Sequence, residues 1–115
     1  MSTDECVFCN MARDPVHESP IYRDERVFVV RDINPKAPIH LLIIPNMHLN
    51  SLAYIGPGQV PIMGHLFEVA EEMARREGVT LSGFRLTLNQ GQDSGQEIAH
   101  LHLHLMAGRR LGAMG

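Results

Sequence analysis

No stretch of this 115-residue chain stays apolar for the ~18 residues that a membrane-spanning helix needs. No basic segment followed by an apolar one stands at its start. Neither a bilayer span nor a secretory leader is therefore expected, and the cytoplasm is the expected compartment. Charge of one sign is scarce as well: the net charge is −3 and no run of Lys or Arg reaches the density of a nucleic-acid or membrane patch. That argues against a nucleic-acid polymer or a membrane surface as partner and leaves room for a small phosphorylated ligand. Cysteine is nearly absent, and the only two, Cys6 and Cys9, are spaced C-x-x-C. A chain of this length buries a core without disulfides, so one domain spanning residues 1–115 is expected. In a reducing compartment the C-x-x-C spacing points to metal binding or redox chemistry.

What the chain does have is concentrated near its end, in Ala99-His100-Leu101-His102-Leu103-His104-Leu105-Met106. Along a strand successive side chains face opposite ways, so the three imidazoles share one face while Leu101, Leu103 and Leu105 pack behind them. A helix would scatter both sets, so the alternation predicts a strand. Gathering several titratable rings on one face costs desolvation and mutual repulsion, which packing alone does not explain.

The rest of the sequence supplies a frame. Thr3 to Arg13 reads as a loop and a short helical turn, with Asp14-Pro15 and Ser19-Pro20 as turns. Arg26–Arg31 and His40–Ile44 read as strands, joined by a proline-restricted loop over residues 32–38 that stands clear of the sheet. One long helix is predicted from about Gly58 to Glu77, with Met63, Leu66, Phe67, Ala70, Met73 and Ala74 as its apolar stripe, Pro61 in its first turn and Gly78 at its stop. Its charged side reads as a solvated face, and His65 beside the stripe carries no assigned role. Gly83–Leu88 alternates as a strand with Phe84, Leu86 and Leu88 inward, and the Gly- and Gln-rich segment 89–96 then leads into the histidine strand. The order predicts an α+β domain with a mostly antiparallel sheet.

Two chemistries follow from these residues. Cys6 and Cys9 offer the sulfur pair of a tetrahedral zinc site, which two histidines from distant strands would complete. Spacing does not choose the two, although His48 and His100 both fall near the sheet edge closest to the N-terminal segment. Such zinc would be structural, since four protein ligands leave no open position. A redox dithiol is the competitor, but the chain lacks the β-α-β alternation that would make it informative. Separately, a neutral imidazole with one free lone pair is a nucleophile toward phosphorus. His102 is central and best placed, provided its other nitrogen donates to a fixed acceptor such as a carbonyl of its own strand. Gly95-Gln96 allows backbone amides to approach phosphate oxygens. Together these point to phosphoryl or nucleotidyl transfer.

The H-x-H-x-H run followed by Leu105-Met106 resembles the signature of the histidine triad family. So does the block from Asp32-Ile33-Asn34-Pro35 to His40-Leu41-Leu42-Ile43-Ile44-Pro45, with Gly95-Gln96 at the expected distance before the triad. The ending Gly108-Arg109-Arg110-Leu111-Gly112 is similar to the nucleotide-binding, phosphoramidase-like branch. The resemblance implies a five-stranded sheet with one long and one short N-terminal helix, and a homodimer whose sheets join across the interface. It implies a bound purine mononucleotide moiety and hydrolysis of nucleoside 5′-phosphoramidates, or related nucleotidyl compounds, through a nucleotidyl-histidine on His102. By the same carry-over His104, His40 and Asn89 contact the phosphate or align the nucleophile, and Asp32 accepts from the ribose hydroxyls. Ile33, Phe8 and Ile21 would line the base, Ile98 is a further nucleotide-binding position, and Gly95, Gln96 and Glu97 stand beside the phosphate and leaving group. Zinc would be held by Cys6, Cys9, His48 and His100. Glu97 stands where many relatives carry Ser or Thr, which bears on the leaving group. The alternatives are a dinucleoside polyphosphate hydrolase and a zinc-stabilised nucleotide-binding module with little catalysis.

Overall fold

A computed structural model of the chain describes residues 6–13 and 20–115. The turns expected at Asp14-Pro15 and Ser19, and the start of the N-terminal loop at Thr3, lie outside these residues. Five strands form one antiparallel sheet: β1 (Tyr22–Arg23), β2 (Val27–Arg31), β3 (Ile39–Pro45), β4 (Phe84–Thr87) and β5 (Leu103–Ala107), in the spatial order β1-β2-β3-β5-β4. Two helices accompany it, α1 (Val7–Arg13) and α2 (Val60–Arg76). No helix among the described residues is long and apolar enough to cross a membrane.

The sheet has two unlike faces, and the strand alternation explains both. Val27 and Val29 of β2, Leu41 and Ile43 of β3 and Leu103 and Leu105 of β5 pack with Leu66, Val69, Ala70, Met73 and Ala74 of α2. The opposite positions Phe28, Val30, Leu42 and Ile44 pack with Cys6, Phe8 and Cys9 around α1. Because α1 is short it covers only part of that second face, and the uncovered part is where His40 and His104 stand.

Two expectations need correction, and one residue gains a contact. The apolar stripe of α2 runs through Val69 and not Phe67, which is 52% exposed: 66, 69, 70, 73 and 74 keep the i, i+3, i+4 spacing and Phe67 falls beside it. The last strand begins at Leu103, so His100 and His102 precede the paired ladder, although Leu101, Leu103 and Leu105 still alternate into the core. His65, given no role from the sequence, ties α2 to the β1–β2 turn through Nε2 and Asp24 Oδ2 at 2.6 Å. Asp24 also accepts from the Tyr22 hydroxyl and the amides of Arg26 and Val27. Burial pushes its carboxyl up, but these donors outweigh it and hold the group well below the usual carboxylate range.

At the end of β5, Gly108 has φ 100°, and a Cβ there would lie 2.8 Å from Cβ of Pro38. Glycine therefore lets the chain pass tightly over the 32–38 loop, which Arg109 also grips by donating to the Lys36 carbonyl at 2.9 Å.

Candidate active site

The β3–β5 pairing sets the geometry. Leu42 lies opposite His104 and His40 opposite Met106, so His40 and His104 are diagonal neighbours on one face. Their rings meet at 2.9 Å between His40 Nε2 and His104 Nδ1. The backbone amide of Lys36, an unambiguous donor, reaches His40 Nδ1 at 3.0 Å. Neutral His40 thus carries its proton on Nε2 and donates to His104 Nδ1, which leaves the proton of neutral His104 on Nε2. Asp32 Oδ2 lies 3.4 Å from His40 Nε2, while its Oδ1 accepts from the Asn34 amide at 2.8 Å. Asp32 is therefore a turn former and also a neighbour of the histidines.

His102 is 7% exposed, and its Nδ1 lies 2.7 Å from the His100 carbonyl oxygen. A carbonyl only accepts, so Nδ1 bears a proton, and in the neutral tautomer the lone pair is on Nε2. Burial holds His104 down to about 4, helped by the neighbouring His102 and His40, and lowers His40 in the same way against the pull of Asp32. Both are neutral at pH 7, as this hydrogen-bond order requires.

A cavity of about 750 Å³ opens over these rings. It brings together His40, His102, His104, Asp32, Ile33, Asn89, Gly95, Gln96, Glu97, Ile98 and Phe8. Ile33 is 87% exposed at its margin. Ile21 does not line the cavity; its amide pairs with the Val29 carbonyl beside edge strand β1. The Gly95 amide is likewise committed, donating to the Gln92 carbonyl at 3.0 Å in a single helical turn. Asn89 closes the same loop by donating to the Ser94 carbonyl. Sequence reasoning missed Lys36, Arg85, Thr87 and Arg109, which also line the cavity. Arg85 and Thr87 are the polar alternants of β4, a signal readable only once this face of the sheet is known to be the functional one.

Beside the cavity, Cys6, Cys9, His48 and His100 bring their donor atoms within 4.8 Å of one another. Cys6 Sγ lies 3.2 Å from His100 Nδ1, and Cys9 Sγ 3.0 Å from His48 Nδ1. Neighbouring ligands of a tetrahedral zinc stand about 3.5 Å apart, so the set fits that ion. His100 Nε2 donates to the Pro45 carbonyl at 2.9 Å, which orients the ring and leaves Nδ1 for a metal. Burial and the adjoining Cys6 push the Cys9 thiol up to about 11, opposite to the lowered value a redox dithiol uses.

Comparison with known proteins adds an independent finding. The HIT domain family model matches residues 15–111. Protein HitA of Neisseria gonorrhoeae is 40% identical over 103 residues, covering 90% of this chain and 95% of the relative. Purine nucleoside phosphoramidase of Escherichia coli (strain K12) is 36% identical over 111 residues, covering 96% and 93%. The solved structure of a histidine triad protein from Clostridium difficile matches with a TM-score of 0.92 at 36% identity, covering 100% of both chains. That of a zinc-bound histidine triad family protein from Mycobacterium smegmatis matches with a TM-score of 0.77 at 30% identity, covering 94% of this chain and 78% of the other.

Proposed function

The chain belongs to the HIT domain family, and from that premise we propose that it is a purine nucleotide-binding hydrolase of nucleoside 5′-phosphoramidates or related nucleotidyl compounds. The observation that carries this reading is the 2.7 Å bond from His102 Nδ1 to the His100 carbonyl, which assigns the lone pair of the neutral tautomer to Nε2, the nucleophile beside the cavity. Nε2 attacks phosphorus, the bond to the leaving group breaks, and the amine departs with a proton taken from solvent. Water then attacks the nucleotidyl-histidine, the bond from phosphorus to Nε2 breaks, and the mononucleotide leaves as the water's proton is lost.

The other residues have roles that follow from their contacts. His104, held by His40, presents its Nε2 proton to a phosphoryl oxygen, and Asn89 shapes the loop beside it. Lys36, Arg85 and Arg109 bring positive charge to a cavity that receives an anion. The second oxygen of Asp32 takes the ribose hydroxyls, and Ile33, Ile98 and Phe8 supply apolar surface for the base, with Gln96 and Glu97 toward the leaving group. We further propose that residues 1–115 form one such domain, that zinc held by Cys6, Cys9, His48 and His100 is structural, and that the working unit is a cytoplasmic homodimer.

The test is hydrolysis of an adenosine 5′-phosphoramidate, followed as AMP release, by the wild type and by His102→Ala. Turnover by the first alone supports the reading. Binding of AMP with no turnover by either protein would favour a binding module, and turnover confined to dinucleoside polyphosphates would change the substrate class.

A further inference from the structure

His100 belongs to both sites. Its ring offers Nδ1 to the two sulfurs, 3.2 Å from Cys6 and 3.5 Å from Cys9, while its main-chain carbonyl accepts the Nδ1 proton of His102. Phe8, placed between the two cysteines, is 2% exposed and meets both rings edge-on, with centroids 5.7 Å from His100 and 5.0 Å from His102. The backbone on which both histidines stand is not fixed by the sheet. The β5 ladder begins at Leu103, and the preceding segment is tied by the Leu101 amide to the Leu49 carbonyl. Helix α1 has seven residues, too few to be stable by itself, so its place depends on its tertiary contacts: at its end Arg23 donates to the Met11 and Ala12 carbonyls, and at its start the buried Phe8 and the two cysteines hold it.

We infer that filling the Cys6, Cys9, His48 and His100 centre positions His102 and strengthens nucleotide binding in the adjoining cavity, with Phe8 and the His100 carbonyl as the links. The inference rests on the zinc and nucleotide readings above. Thiols are weak hydrogen-bond partners, so without metal the cluster holds α1 and the 100–102 segment loosely. Four metal bonds fix residues 6–9 against His100, and with them the face of Phe8 and the carbonyl that orient the nucleophile. Phe8 is thereby a positioning residue. Linkage makes the effect reciprocal: whatever factor zinc adds to nucleotide affinity, nucleotide adds to zinc affinity.

The experiment uses the zinc-loaded protein and a competing chelator, with and without saturating AMP, for the wild type and for Phe8→Leu. The expected result is that AMP tightens zinc by about fivefold or more in the wild type. In Phe8→Leu, which loses a base contact and is therefore given AMP until its own weakened site is saturated, the gain in zinc affinity falls below about twofold. Stabilisation of the whole fold by AMP would act equally on both proteins, so equal gains overturn the role of Phe8. An unchanged zinc affinity in the wild type overturns the coupling itself. A protein that takes up no zinc refutes the zinc reading, one that takes up zinc but not AMP refutes the nucleotide reading, and either result removes the inference with it. As a second readout, the ring-proton NMR signal of His102 Nδ1–H should be sharp with zinc and lost when zinc is stripped. An unchanged signal would contradict the positioning.

Discussion

At the scale of single residues, the account turns on tautomers. The Lys36 amide and the His100 carbonyl, one only a donor and the other only an acceptor, fix the proton positions on His40, His104 and His102. Replacing His102 by Ala should lower hydrolysis by about a thousandfold or more while AMP affinity changes little; calorimetry and AMP release read the two separately. Burial also makes His104 acid-sensitive. Its folded pKa of about 4 lies below the ordinary histidine value of about 6.5, so as pH falls between them the unfolded chain takes up the proton first. Stability should therefore decline from about pH 6.5 to 4, and His104→Gln should decline less steeply over that window, as urea midpoints across a pH series would show. The period-two pattern was legible in the leucines, which alternate into the core, whereas of the three histidines only His104 stands in the strand itself. Spacing alone left the partners of Cys6 and Cys9 open, because His48 and His100 are far away in sequence; the family resemblance named those two, and the folded sheet brings them to the cysteines.

Elements were legible where their periodicity was long and failed where a neighbour overrode it. The turn at Gly78 and Pro61 near the helix start marked α2 well, yet the stripe chose Val69 over Phe67 because the sheet, and not the helix, decides which side is covered. The two-residue strand β1 offered too little pattern to be read. Strand β5 starts late: the Leu101 amide pairs with the Leu49 carbonyl outside the sheet, and the His100 ring lies against the cysteines. The crossing at Gly108 gives the element-scale prediction: Gly108→Ala forces a positive φ on alanine and a 2.8 Å approach to Pro38. It should cost about 2 kcal/mol or more in chemical denaturation. The same approach secures the 32–38 loop, so AMP binding should weaken with it.

For the whole molecule, the organising fact is a sheet with one face given to α2 and the other shared between α1 and a cavity. The apolar runs of β2 and β3, the alternation in β4 and β5 and the one long helix between them were enough to foresee an antiparallel α+β fold. It could not say which polar alternants face a ligand, so Arg85 and Thr87 were passed over as surface. The proposed zinc centre anchors α1 to this arrangement. Metal analysis should give about one zinc per chain, and Cys6→Ser/Cys9→Ser should lose it together with several degrees of thermal stability.

The central claim is that His102 carries the nucleotide covalently, and mass spectrometry tests it most directly. Wild-type protein turning over adenosine 5′-phosphoramidate would be quenched in alkaline denaturant, where the bond from phosphorus to histidine survives, then digested and its peptides weighed. The account predicts an adenylyl group on the peptide containing His102, and none in His102→Ala. Rapid turnover with no adduct, or an adduct on a different residue, would contradict it.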